Sequence, residues 1–207
     1  MLGIHSRVPW KKSKGLSAQN RFNMLEFRIQ STPNPNARKY VIDKHLKVEG
    51  KVSYQDIKDC SHIPIAESLL LINGVTQIHF FENVLTVTQD GSIEWPLIDK
   101  AVQDILEEGI NEHDPNFIEA KEKTRQVKIE STDPEIQKID AILDEEIRPA
   151  LQADGGDIEV ISLKENILTL NYLGACGGCP SSMTGTLYAI KAALHSRYRL
   201  DLEVVVV

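Results

Sequence analysis

The patterning of the chain predicts an α+β protein built as two small domains. Three observations carry that expectation. Short runs of alternating apolar and polar residues, such as LEFRIQ at 25–30 and VTQIHFF at 75–81, lie beside runs with apolar residues at helical spacing. A polar stretch at 111–132, NEHDPNFIEAKEKTRQVKIEST, has no sustained periodicity and divides these runs into two sets. The length of 207 residues then gives each set about the size of a small domain, against a usual ~100–150 residues. The expected divisions are a basic leader over 1–23, a mixed first domain over 24–110, a linker over 111–132 and a second domain over 133–207.

The leader carries Arg7, Lys11, Lys12, Lys14 and Arg21 and no acid, with serines between them. That is the composition of an organelle transit peptide, but Pro9 interrupts a poor amphipathic pattern. A disordered extension upstream of a start at Met24 is the favoured reading. In the first domain the stretch STPNPNARKY at 31–40 reads as a rigid loop, because Pro33 and Pro35 lack amide donors and Asn34 and Asn36 favour turns. Residues 75–81 and 84–89 read as strands of a hairpin closed by Glu82 and Asn83. Pro96 stands at a first helical position, Leu97, Ile98, Ala101, Val102, Ile105 and Leu106 repeat at helical spacing, and Gly109 supplies a stop.

The second domain opens on Asp133, Pro134 and Glu135, an N-cap followed by a first-turn proline and acid. Ile136, Ile139, Ile142, Leu143 and Ile147 form one apolar face, and Pro149 should kink or end that helix. Gly155 and Gly156 permit the turn that follows. Strands are expected at 158–163 and 167–173, then a helix whose face holds Met183, Leu187, Ile190, Ala193 and Leu194, then a closing β-branched strand at 202–207. The order is helix, strand, strand, loop, helix, strand.

Composition excludes several classes of function. A hydrophobic share of 42% with 26% charged residues is that of a globular protein, so a packed core is expected. The net charge of -7 opposes a general nucleic-acid binder, which needs a basic face. No apolar run approaches the ~20 residues that span a bilayer. Three cysteines, Cys60, Cys176 and Cys179, make no disulfide framework, and the chain does not open on a secretory signal. A reducing compartment is therefore expected: bacterial cytoplasm, or the mitochondrial matrix if 1–23 is a transit peptide.

The chemistry concentrates in GACGGCPSS at 174–182. Gly174, Gly177 and Gly178 allow a tight turn with both sulfurs facing outward. Pro180 and Ser181 begin the next helix, whose positive end favours thiolate, the form that binds metal or attacks disulfides. Four roles compete. Cysteines packed as small hydrophobes have little around them to bury them. A zinc site needs about four ligands, whereas the loop offers two and His195 lies well along the following helix. A thioredoxin-like dithiol also stands at a helix start, but that fold needs more elements than the one helix and one strand that remain. An iron–sulfur site takes four thiolates, which two copies of the chain supply; this role is favoured, with the dithiol oxidoreductase as its rival.

The stretches LQADGGDIEVISL (151–163) and LGACGGCPSSMTGTLYAIKAAL (173–194) resemble the C-terminal domain of Nfu-type, NifU-like proteins, and RIQSTPNPNARKY (28–40) resembles their N-terminal domain. The resemblance implies a non-enzymatic iron–sulfur carrier or scaffold. It implies that Cys176 and Cys179 ligate a 4Fe–4S cluster (2Fe–2S is the variant) between two subunits. It implies an upstream scaffold or carrier as donor and apo iron–sulfur proteins as recipients, with no nucleic acid or membrane among the partners. The cysteine-rich scaffold and ferredoxin-like portions of full-length NifU are not in this sequence.

Other candidates have plainer explanations. Cys60 with His62 in KDCSHIP is expected to be structural. Asp154 and Asp157 around two glycines fit a helix-ending turn better than a calcium loop, which needs more oxygens. Asp144, Glu145 and Glu146 are expected on a solvated face. The 33–36 loop is read equally as a stiff turn and as a docking element.

Overall fold

The computed structural model describes residues 25–118, 133–177 and 180–207, the last segment with side chains from residue 184 onward. The leader, Met24, residues 119–132, Gly178, Cys179 and the Met183 side chain lie outside the described residues. Two α+β domains make up the rest.

The first domain contains β1 (Phe27–Ser31), β2 (Ala37–Ile42), β3 (Lys51–Tyr54), α1 (Ile57–Cys60), α2 (Pro64–Leu70), β4 (Val75–Phe81), β5 (Val84–Gln89) and α3 (Trp95–Gly109). Its five strands form an antiparallel sheet in the order β1-β2-β5-β4-β3. Strand side chains alternate between the two faces. One face therefore holds Tyr40, Val52, Ile78, Phe80, Leu85 and Val87, all buried, in one core with residues of α2 and α3. In α3, Ile98, Val102 and Leu106 recur every four residues and are the buried ones. Lys51, Ser53, Gln77, His79, Thr86 and Thr88 occupy the intervening strand positions and point to the opposite face.

Two expectations for this domain are corrected. The end of the 31–40 stretch is not loop: residues from Ala37 onward enter β2 and pair with both β1 and β5. Residues 111–118 are not linker. The Val48 amide donates to the Pro115 carbonyl at 3.0 Å, Lys47 Nζ donates to the Phe117 carbonyl at 3.0 Å, and His113 Nε2 lies 2.7 Å from the Leu46 carbonyl. The ring of His113 also lies between Phe80 and Phe117. Aromatic packing outweighs the polar composition of this segment.

The second domain runs α4 (Pro134–Glu146), α5 (Arg148–Ala153), β6 (Gly156–Lys164), β7 (Ile167–Gly174), α6 (Pro180–Arg197) and β8 (Glu203–Val206). The Asp133 carboxylate caps α4 by accepting the Glu135 amide at 2.9 Å. Pro149 acts as expected: α4 stops, and the proline occupies the first turn of α5. β6 and β7 form a hairpin whose turn residues Glu165 and Asn166 both have positive φ, and β8 joins β7 in parallel. Ile139, Leu143, Ile158, Leu168, Leu170, Ile190 and Leu194 are the fully buried centre of its core. Among the described residues no helix is long and apolar enough to cross a membrane.

Candidate functional site at the thiol loop

The loop begins where β7 ends, and its path depends on two glycines, Gly174 and Gly156. Gly174 has φ +59°, and a Cβ there would stand 2.5 Å from the Gly155 carbonyl oxygen. Gly174 pairs with Gly156 across the hairpin. With no side chain at either position, the chain folds back over the start of β6, and the Ala175 amide donates to the Gly155 carbonyl at 3.0 Å. Cys176 then lands on Gly156: a Cβ at Gly156 would lie 2.2 Å from Cys176 Sγ and 2.8 Å from its backbone nitrogen. The second glycine of the DGGD motif is thus the seat of the Cys176 sulfur.

That corrects the expectation of two outward sulfurs. Cys176 is 8% exposed and belongs to the core cluster of its domain. Glycine freedom was expected to open the loop; here it lets the thiol tuck in. Cys179 lies outside the described residues. Tyr172, whose hydroxyl is pushed up to about 12 by burial and then by the charge of Cys176, is close enough to sense that sulfur.

The first domain covers the same loop. Asn34 Nδ2 donates to the Ala175 carbonyl at 3.1 Å and reaches the Gly177 carbonyl at 3.5 Å. Gln77 lies against Gly177, and His79 against Gly174. Asp157, fully buried, anchors the contact: Lys51 Nζ of β3 stands 2.5 Å from its Oδ1 and also donates to the Ile158 carbonyl at 2.9 Å. Arg148 Nε lies 3.7 Å from the same Oδ1, and the other oxygen, Oδ2, accepts from Gln152 Nε2 at 3.0 Å. Lys39 adds a bond to the Ala153 carbonyl. The polar face of the first sheet is therefore a covered surface.

Burial controls the chemistry of the groups on that face. It lowers the Lys51 pKa despite the opposing pull of Asp157. His79 is pushed down to about 4, again by burial first, with Asp157 raising it and Lys51 lowering it. The imidazole is therefore neutral at physiological pH. Its Nδ1 meets Ser53 Oγ at 2.8 Å, while Nε2 is buried without a partner among the described residues. Next to the loop opens a cleft of about 450 Å³, lined by Asn34, Gln77, Thr88, Gln89, Tyr172 and Gly177 among others.

The remaining sequence candidates fall elsewhere. Cys60 is fully buried in the first core and its thiol is pushed up to about 11, by burial and then by Glu67, Asp59 and Asp56. His62 is exposed. His195 Nε2 is engaged with the Leu202 carbonyl at 2.8 Å. Asp154 ends α5 as expected. Asp157 does more than close a turn. Asp144 pairs with Arg148, and Glu145 and Glu146 with Arg197, so the acidic run is an ion-paired surface. Among the described residues no three His, Cys, Asp or Glu side chains converge on one point. The pairing of Lys51 with Asp157 is not legible in the sequence, because each residue looks ordinary alone; a charged residue inside a strand is the signal that Lys51 offers.

Comparison with known proteins matches two separate stretches of the chain. A family model described as NifU-like domain matches residues 139–205, and one described as Scaffold protein Nfu/NifU N terminal matches residues 27–113. Over 187 residues the chain is 31% identical to NifU-like protein 4, mitochondrial, of Arabidopsis thaliana, covering 86% of this chain and 64% of that protein. It is 31% identical over 177 residues to the NFU1 iron-sulfur cluster scaffold homolog, mitochondrial, of Drosophila persimilis, covering 83% of this chain and 61% of that one. The chain thus spans a little under two thirds of the length of these relatives. A solution structure of a NifU-like protein from Saccharomyces cerevisiae superposes with a TM-score of 0.41 at 18% identity, over 50% of this chain and 91% of that one.

Proposed function

The chain belongs to the Nfu-type, NifU-like family, and on that premise we propose that it is a carrier for an iron–sulfur cluster rather than an enzyme. The thiolates of Cys176 and Cys179 from two copies hold the cluster, which passes to apo-proteins. The observation that supports this most directly is the separation of the three thiols. Cys60 is locked in the first core with a pKa near 11, leaving one close pair per chain on a glycine-built loop ahead of α6. Four thiolates hold a cluster, so a second copy completes the set. Cluster iron and sulfide are the cargo, and the pair binds them reversibly.

A 4Fe–4S cluster is the expected cargo. It is received from an upstream scaffold or carrier and delivered to iron–sulfur client proteins. The relatives named above are mitochondrial proteins, which favours the matrix over the bacterial cytoplasm as the place of action.

Anaerobic reconstitution of the full chain with iron and sulfide tests the proposal. The apo-protein should sediment as a monomer, and the loaded brown protein at twice that mass with four irons per dimer. Two irons per dimer would make the cargo 2Fe–2S. A colourless protein that instead reduces protein disulfides would overturn the carrier reading in favour of a dithiol oxidoreductase.

A further inference from the structure

The loop TPNPN at 32–36 is the one sequence motif that the proposed function leaves unused. Its internal bonds explain its shape. Thr32 Oγ1 donates to the Asn34 carbonyl at 2.8 Å and the Ala37 carbonyl at 3.0 Å, and Trp95 Nε1 donates to the Pro35 carbonyl at 3.1 Å. The Asn36 amide donates to Asn34 Oδ1 at 2.9 Å. An N–H can meet only an acceptor, so this bond fixes which end of the Asn34 carboxamide faces inward. The two donor hydrogens on Nδ2 are left pointing out of the loop. They point at the other domain.

There Nδ2 meets the carbonyls of Ala175 and Gly177, the residues on either side of Cys176. Asn34 is 3% exposed, and its bond to the Ala175 carbonyl is buried. The Ala175 carbonyl belongs to the peptide unit that enters Cys176, so the bond to it restrains that unit, and the weaker reach to Gly177 restrains the turn beyond, while the sulfur rests against Gly156. A cluster shared with a second copy needs that sulfur turned outward.

We propose that Asn34 is a positioning residue for Cys176: the first domain clamps the thiol loop and keeps the sulfur sheathed, so cluster uptake requires the domains to part. This inference rests on the carrier reading for its purpose but not for its test. Lys51 and Asp157 hold the same contact shut from the far side.

The test measures thiol accessibility in the iron-free, reduced full chain. Iodoacetamide labelling at Cys176 and Cys60 is followed over time by peptide mass spectrometry. Asn34→Asp keeps the size of the side chain but removes the donor and sets a carboxylate against two carbonyls. It should raise the Cys176 rate about tenfold or more, the factor that about 1.4 kcal/mol makes, while Cys60 stays protected. Continued protection of Cys60 shows that the first domain is folded, a readout that a merely structural Asn34 would not leave unchanged. If Asn34→Asp exposes Cys60 as well, Lys51→Ala decides, since it loosens the contact while leaving the TPNPN loop intact. A faster Cys176 with Cys60 protected in that variant supports the clamp. An unchanged Cys176 rate in a folded variant overturns it. Reconstitution of the wild type is judged separately: a chain that takes up no iron ends the carrier reading, whatever the labelling shows.

Discussion

Acidification should separate the two domains, because His79 is buried neutral at the contact. The groups facing its imidazole are Ser53 and Lys51 on β3 and Asp157 on β6; burial outweighs all of them and holds the pKa at about 4 against the ordinary 6.5. The sign follows from proton uptake. In the parted state the imidazole is hydrated and binds a proton once pH falls below about 6.5, whereas in the docked state it does not until about 4. The parted state binds more protons in that window, so docking is at full strength above 6.5 and weakens on the way down. At about 1.36 kcal/mol per unit, the loss reaches about 3 kcal/mol by pH 4. That approaches the whole worth of a contact anchored by one ion pair and a few hydrogen bonds. Small-angle scattering from pH 7.5 to 4 should show the radius of gyration rising, with far-ultraviolet dichroism unchanged. The imidazole proton signal missing from a His79→Gln variant identifies His79. Its midpoint should fall well below 6.5, and the variant should stay docked to lower pH. A His79 midpoint near 6.5 with constant scattering would refute the reasoning, since the ring would then be hydrated while the domains remain together.

Other expectations follow from the site. Cys60→Ala should cost about 1 kcal/mol of stability, the scale of a small core truncation, and keep the visible absorption after reconstitution. Cys176→Ala or Cys179→Ala should abolish it. Gly156→Ala should push Cys176 off its seat, because the backbone nitrogen 2.8 Å from the new Cβ cannot yield by a rotamer change. Urea unfolding should show a loss of about 1–3 kcal/mol, the usual cost of overpacking, and labelling of Cys176 should speed up. Limited proteolysis should cut between residues 118 and 133 and spare 111–118, where His113 and Phe117 are packed; cleavage at 111–114 in the folded chain would contradict that packing.

Periodicity made the larger elements legible. The 75–89 hairpin, α3 and the whole order of the second domain follow from apolar spacing, and Asp133, Pro149 and Pro180 mark helix ends by their own stereochemistry. β3, α1 and α2 are four to seven residues long, too short for a repeat to register. β2 was hidden by its neighbours, since two prolines and two asparagines govern the reading of the residues that follow them. At the site, the two cysteines and the helix start were readable, but the direction of Cys176 was not. Gly155 has the positive φ of a helix-ending turn, which explains one glycine of DGGD. The other is needed only because the register sets Gly156 opposite Gly174 and drops a sulfur on it. A register is a relation between two strands, and single-strand patterns do not contain it. The same holds for His79, Gln77 and Thr86: alternation assigns them to the side away from the core, and a second domain covers that side.

The make-up of that covered face bears on how the protein can work. An apolar contact of similar extent would hold the domains shut. Here Thr86 Oγ1, Thr88 Oγ1, Gln89 Oε1 and His79 Nε2 are buried without partners among the described residues, and each such group costs roughly 1–3 kcal/mol. Thr88 and Gln89 border the cleft beside the loop, where water can serve them at lower cost. Against these costs stand the Lys51–Asp157 pair, whose desolvation takes back much of its attraction, and the Asn34 bonds to the thiol loop. These costs offset part of that attraction, so the contact is weaker than an apolar one of the same extent. If the chain is the carrier proposed above, that balance would let Cys176 stay covered while the domains touch and meet a second copy when they part.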